Sequence, residues 1–231
     1  MLSEATHRAE EVAARVTKAT VCVLLSGGMD SAVCLHWALD VYGRGRVFAL
    51  AVNYGQRHRR ELVSARQIAQ DAGVELVERT VAIPWQTSQL TGGGAGDDSP
   101  VVPGRNVILA TLAAAEVSAR GGDTIIMGCC ADDALGFPDC RPGFIQSMSP
   151  MLSAAFDTPI RLRAPFLAST KARLLEAAQR LGAIEAVGRS WSCYRPQSAG
   201  ARAPVPCGRC HACEVRAAAF ADAGLSDPGR R

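Results

Sequence analysis

The chain has 231 residues, 48% hydrophobic and 20% charged, which fits a globular body and excludes a disordered polar chain. Its uncharged apolar runs are far shorter than the roughly 20 residues of a membrane-spanning helix, and a net charge of +3 does not by itself imply nucleic acid. Nine cysteines and no leader-like segment point to a reducing compartment, so the thiols read as core groups, metal ligands or catalytic groups rather than disulfides.

Residues 1–18 carry Glu4, Glu10 and Glu11 and no apolar stretch, which predicts an amphipathic N-terminal helix and no secretory leader. Residues 20–25 are a short continuous apolar run, the pattern of a strand buried on both faces. Ser26-Gly27-Gly28 ends it, and helical spacing follows over 30–42. Residues 46–52 read as a second buried strand closed by Asn53-Tyr54-Gly55, 58–72 as a helix, and 74–83 as a third strand. The Gly- and Pro-rich stretch 84–104 reads as a long loop. A helix over 106–119, a strand over 124–128 and a second long loop over 129–142 follow. Residues 144–155 and 170–181 read as helices around a short strand at 160–164. This alternation predicts an α/β fold with a doubly wound, mostly parallel sheet. The expected division is an N-terminal extension (1–18), a nucleotide-binding domain (19–187) and a cysteine-rich, metal-binding C-terminal region (188–231).

Ser26-Gly27-Gly28-Met29-Asp30-Ser31 lies between the first strand and the first helix. Glycines let a backbone turn sharply and approach a ligand closely. A helix start offers free N–H groups and a positive dipole end to a phosphate, and Ser26 and Ser31 add hydroxyls. Asp30 would repel a bare phosphate, so its natural part is to hold a Mg²⁺ ion that bridges to one. Neither G-x-x-x-x-G-K-[ST] nor a G-x-G-x-x-G after a strand occurs. The S-G-G-x-D-S string resembles the PP-loop of ATP pyrophosphatases, which implies ATP and adenylation. The plainer alternative is an ordinary Gly-Gly turn.

Cys193, Cys207, Cys210 and Cys213 form C-x13-C-x2-C-x2-C. Four sulfur ligands with no open position suit structural zinc; an iron–sulfur cluster and free thiols are the alternatives. Arg209 and Arg216 read as counter-charges to the thiolates, His211 as a bystander, and Cys22 and Cys34 as small core hydrophobes.

Loop and tail together narrow the field. LLSGGMDS (24–31), NYGQRHRRE (53–61), VPGRN (102–106), GFPDCRP (136–142), WSCY (191–194) and CGRCHAC (207–213) occur in this order, and through them the chain resembles the 7-cyano-7-deazaguanine synthase family over residues 19–228. The resemblance implies a carbon–nitrogen ligase that takes 7-carboxy-7-deazaguanine, ATP and ammonia. The carboxylate would be adenylated, converted to the amide and dehydrated to the nitrile, with Mg²⁺ and Zn²⁺ bound. It also implies a cytoplasmic homodimer without nucleic-acid or membrane partners. It places Leu24, Leu25, Ser26, Gly27, Gly28, Met29, Asp30, Ser31, Tyr54 and Gln56 at the nucleotide. Asp30, Ser31, Arg105 and Lys171 would be catalytic, and the four tail cysteines the zinc ligands. Arg57, His58, Asn106, Asp133, Phe137, Asp139 and Arg141 would meet the substrate, Asp139 by accepting the adjacent N–H pair of the guanine edge. Plainer alternatives are an Asp139–Arg141 pair, Tyr54 as a core edge, Lys171 as a solvated lysine and His58 as a surface residue.

The match breaks after the fourth strand. The family pattern has Asn near Cys130, Tyr near Ala134, Ser near Leu135 and Glu near Gly143. These departures open a second reading, in which a deazaguanine carboxylate is adenylated but the product is the amide, or another amine, including one on a protein, is acylated. A zinc-knuckle tRNA-binding PP-loop protein is the alternative of another class. Against it, aromatic residues are only 5% and no basic stripe is interleaved with them.

Overall fold

In the first strand, β1 (Val21–Leu24), every residue is buried. Val21 and Val23, with Leu25 after them, face one core, and Cys22 and Leu24 face another. The period of two puts neighbours on opposite faces, and helices on both faces explain why the sequence reads as an unbroken apolar run. The computed structural model describes residues 20–56, 60–83, 101–199 and 202–230. The expected N-terminal helix, most of the loop 84–104, and Arg57 and His58 lie outside the described residues.

Helix α1 (Met29–Tyr42) follows the glycine turn, and β2 (Val47–Asn53), α2 (Arg60–Ala72) and β3 (Leu76–Thr80) come next. Helix α3 (Arg105–Ala119) leads to β4 (Thr124–Ile126). The loop after it is not irregular throughout, since it holds the short helix α4 (Asp133–Gly136) and a 3-10 turn at Pro138–Cys140. Helix α5 (Pro142–Phe156), β5 (Arg161–Arg163), α6 (Lys171–Arg180) and α7 (Ile184–Arg189) complete the body. The sheet order is β3-β2-β1-β4-β5, and every pairing is parallel. Residues of α1, α2, α6 and α7 share one core; those of α3 and α5 share the other. The fold class is therefore the expected α/β with a doubly wound parallel sheet. The chain runs outward from β1 to β3, then returns to add β4 on the other side of β1. This reversal opens a crevice at the carboxyl ends of β1 and β4, where open parallel sheets bind ligands.

The tail is part of the same body. After the hairpin of β6 (Gln197–Ala199) and β7 (Arg202–Val205) comes α8 (His211–Asp222), whose Ala219 and Phe220 bury in the core of α1. The expected boundary at 187/188 falls inside α7. Polar and apolar residues do not separate into faces along α8, so no helical period marked it in the sequence. The reading of Arg216 as a counter-charge to the thiolates is corrected. Its guanidinium grips Asp227 with two hydrogen bonds (2.7 and 2.8 Å) and donates to Ser190 Oγ (2.8 Å) and the Val187 carbonyl (2.9 Å). A planar fork matches a carboxylate better than a sulfur cluster. Among the described residues, no helix is long and apolar enough to cross a membrane.

Gly27 has a φ of +86°, and a Cβ there would lie 2.0 Å from the Glu61 carbonyl oxygen in the first turn of α2. Gly27→Ala therefore combines left-handed strain with a backbone clash and is expected to lower stability by about 3 kcal/mol in chemical denaturation. A loss under about 1 kcal/mol would mean that α2 is free to retreat.

Candidate functional site

Residues 26–31 wrap the start of α1. Ser26 Oγ lies 3.1 Å from Ser31 Oγ, the Gly28 N–H donates to Ser26 Oγ (3.2 Å), and Ser31 Oγ donates to the Gly28 carbonyl (3.0 Å). The two hydroxyls brace the turn from inside and leave the first N–H groups of α1 facing the crevice. Gly128, at the end of β4, packs so closely here that a Cβ would meet the Ser31 backbone nitrogen at 2.7 Å.

Charge converges behind this turn. Lys171 Nζ pairs with Asp30 Oδ2 (2.8 Å) and Asp133 Oδ1 (2.9 Å), and all three side chains are largely buried. Lys171 starts α6 and its backbone N–H donates to Asp132 Oδ2 (2.7 Å), while the Cys130 N–H donates to Asp133 Oδ2 (2.9 Å). Three elements thus hold one ammonium between two carboxylates. Burial pushes Asp30 up to about 6, although Lys171 pulls the other way. Burial also works against the Lys171 charge, but Asp30 and Asp133 outweigh it and hold the ammonium well above the ordinary lysine range. A solvated-lysine reading of Lys171 does not fit this burial.

Across the crevice, Arg105 donates to Tyr54 Oη (3.4 Å) and its guanidinium stands 5.8 Å from the Tyr54 ring centre. Tyr54 is buried, and its backbone N–H donates to Gln56 Oε1 (2.9 Å), which folds the end of β2 back on itself. Asp139 Oδ2 accepts from the Asn106 N–H (3.2 Å) and the Asn106 amide donates to the Asp139 carbonyl (3.2 Å), so Asp139 caps the start of α3. Arg141 donates to the Ala134 carbonyl (3.1 Å); the two do not pair with each other.

Trp191 joins the tail to the phosphate loop, its N–H donating to the Gly27 carbonyl (2.9 Å). The four sulfurs of Cys193, Cys207, Cys210 and Cys213 lie within 4.8 Å of one another, with Cys193 and Cys210 at 4.0 Å. A zinc tetrahedron with bonds of about 2.3 Å has sulfur–sulfur edges of about 3.8 Å, so the cluster fits a metal ion after small movement. Gly208, at φ +74°, makes the knuckle, and Cys210 sits at the N-cap of α8.

These parts surround one cavity of about 1030 Å³. Its walls include Leu24, Leu25, Ser26, Gly28, Met29, Asp30 and Ser31, then Tyr54, Gln56, Arg105, Asn106, Asp133, Phe137 and Lys171. Asp139 and Arg141 are not among the lining residues.

The sequence model of the family described as "Queuosine biosynthesis protein QueC" matches residues 20–224. The chain belongs to this family. A 7-cyano-7-deazaguanine synthase of Chromobacterium violaceum is 38% identical over 222 residues, covering 89% of this chain and 91% of its own. One of Novosphingobium aromaticivorans is 41% identical over 227 residues, covering 90% and 92%. Among solved structures, the U34-tRNA thiolase NcsA of Methanococcus maripaludis with its [4Fe-4S] cluster has 18% identity and a TM-score of 0.47, covering 72% of this chain and 59% of that one. The NH3-dependent NAD synthetase of Campylobacter jejuni has 16% identity and a TM-score of 0.46, covering 76% and 70%.

In this QueC-family chain, of Cys130, Ala134, Leu135 and Gly143 only Leu135 is among the residues that line the cavity. Cys130 is buried beside Asp30 and Asp133, whereas Leu135 stands 87% exposed at the cavity rim. Glu61, Asp132, Trp191, Tyr194 and His211 also line the cavity without having been singled out as contacts. Glu61 ends the NYGQRHRRE string, and burial pushes its carboxyl up to about 7 against the pull of Arg105. Burial likewise raises Tyr194 to about 12. An acidic residue opening α2 was the available signal for Glu61.

Replacing Lys171 tests the buried trio. Asp30 titrates above its ordinary value, so its contribution to stability is complete below about pH 4 and is lost as pH rises through about 6. Without the ammonium that lowers it, Asp30 titrates higher still, and the penalty grows with pH. Lys171→Met is expected to cost about 3 kcal/mol at pH 8 and distinctly less at pH 5 in urea titrations; an equal loss at both would refute the ion-pair account.

Proposed function

We propose that the chain is an ATP-dependent 7-cyano-7-deazaguanine synthase. The observation that carries the reading is that one cavity joins an intact S-G-G-x-D-S turn to the Asp30–Lys171–Asp133 trio, in a chain whose relatives bear that name. Ser26, Gly27, Gly28 and Ser31 cradle the β- and γ-phosphates, while Leu24, Leu25, Met29, Tyr54 and Gln56 wall the nucleotide. Asp30 would hold Mg²⁺, which would neutralise phosphate charge and polarise the phosphorus under attack. Asp30 pairs with Lys171 (2.8 Å), and the two would exchange partners, the carboxylate turning to the cation and the ammonium to the phosphates.

The chemistry then follows from poor electrophilicity. A carboxylate oxygen of 7-carboxy-7-deazaguanine attacks the α-phosphorus and pyrophosphate leaves. Ammonia adds to the acyl carbon, loses a proton and expels AMP, giving the amide. A second ATP activates the amide oxygen, and loss of AMP and two protons leaves the nitrile. The protein's share is positioning and charge: Arg105 and Lys171 face the developing negative charge, and Asn106, Asp133 and Phe137 surround the substrate. Asp139 and Arg141 shape this wall through Asn106 and Ala134. The four tail cysteines hold Zn²⁺ as a closed structural site.

The exposed Leu135 at the cavity rim favours a second reading, in which a re-lined rim admits an amine larger than ammonia or the reaction stops at the amide.

Incubation with 7-carboxy-7-deazaguanine, ATP and ammonia decides between them: nitrile by mass spectrometry supports the first reading, and accumulated amide the second. Asp30→Ala with Ser31→Ala is expected to lower pyrophosphate release at least a hundredfold, and persistent release would remove the loop from the reaction. Pyrophosphate release is also expected to fall below about pH 6, where Asp30 takes up a proton and can no longer hold the cation. An acid limb near pH 4 would mean that Asp30 is not the titrating group.

A further inference from the structure

The cysteine cluster and the phosphate turn are joined through one side chain. The Trp191 backbone N–H donates to the Gly27 carbonyl (2.9 Å), and its indole Nε1–H donates to the Cys193 carbonyl (3.0 Å). Trp191 is 8% exposed and packs in one buried cluster with Cys193 and Cys213, against Cys207 and Cys210. At its other end it controls a peptide plane. In a trans peptide the C=O of one residue and the N–H of the next point in opposite directions. Holding the Gly27 carbonyl therefore also places the Gly28 N–H, which donates to Ser26 Oγ (3.2 Å), and both Ser26 and Gly28 line the cavity. Gly27 has no side chain to resist rotation, so Trp191 on the carbonyl side and Ser26 Oγ on the N–H side together set the plane of this peptide.

A second contact runs in parallel. The Arg60 guanidinium stands 5.0 Å from the Trp191 ring centre and donates to the Pro204 carbonyl (3.3 Å), three residues before Cys207. Arg60 opens α2, and the carbonyl of the next residue, Glu61, is the oxygen packed against Gly27. Arg60 thus touches both the indole and the segment that leads into the knuckle.

We infer that Trp191 is a positioning residue that couples metal occupancy of the four-cysteine cluster to nucleotide binding at the phosphate turn. A metal that fixes Cys193 fixes its carbonyl, and through the indole it holds the Gly27–Gly28 peptide in its phosphate-binding orientation. Coupling of this kind is reciprocal, so a bound nucleotide holds the metal in turn. The inference rests on the reading of the turn as a nucleotide site and the cluster as a zinc site.

The experiment uses the zinc-loaded full chain. Zinc transfer to a chromophoric chelator is timed with and without a saturating, non-hydrolysable ATP analogue and Mg²⁺, in the wild type and in Trp191→Phe. Phenylalanine keeps a buried ring and removes the indole N–H. Nucleotide is expected to slow zinc loss about tenfold in the wild type, within the usual range of such couplings, and less than twofold in Trp191→Phe. Calorimetric titration of both loaded proteins establishes saturation. Equal slowing in both proteins, or none in the wild type although the analogue binds, overturns the coupling. No binding of the analogue to the loaded wild type overturns the nucleotide reading and the coupling with it.

Discussion

Everything at the crevice depends on one close approach: Gly27 wedged beneath the first turn of α2, with its carbonyl held by Trp191. The contact leaves no room for a side chain and requires a left-handed backbone, and glycine alone meets both demands cheaply. The turn keeps its shape because three separate segments press on it: α2 from one side, Gly128 at the end of β4 from another, and the tail through Trp191. The sheet order brings those segments together. With β1 central and β4 added after the reversal, residues distant in sequence meet at the carboxyl ends of two adjacent strands.

Electrostatics follows the same convergence. Asp30, Asp133 and Lys171 come from three elements, and each would be costly to bury alone. Together they form a compact cluster in which one ammonium compensates two carboxylates at the cavity wall. Arg105 stands opposite with Tyr54, and the buried carboxyl of Glu61 lies within its pull.

Strand and helix positions were legible because the physics is local. Continuous apolar runs marked β1 and β2, and the glycine turn marked the start of α1. The phosphate turn and the four cysteines were legible because they are short strings with fixed spacing. Helix α8 was not, because Arg216 lies on its buried face while Ala218 and Ala221 lie on its exposed one, which leaves no hydrophobic period. The partner of Arg216 was equally hidden, since Asp227 reaches it only after the chain has turned past the end of α8. Asp139 illustrates a different limit: the sequence marks a carboxylate in a loop, but only the fold shows it capping α3 beside the cavity.

The nine cysteines of the composition now have places. Cys22 and Cys34 lie in the core as the sequence implied, four form the tail cluster, and Cys129, Cys130 and Cys140 are buried near the end of β4. The sequence by itself determined the α/β class, the phosphate turn, the metal-ligand spacing and the family, because each is written in local pattern or contiguous strings. Only the tertiary structure decided that Lys171 is shared by Asp30 and Asp133, that Asp139 caps a helix, and that Trp191 ties the knuckle to Gly27. Those are contacts between residues from about 30 to more than 160 positions apart, and no local pattern encodes which distant partner a folded chain brings within hydrogen-bonding reach.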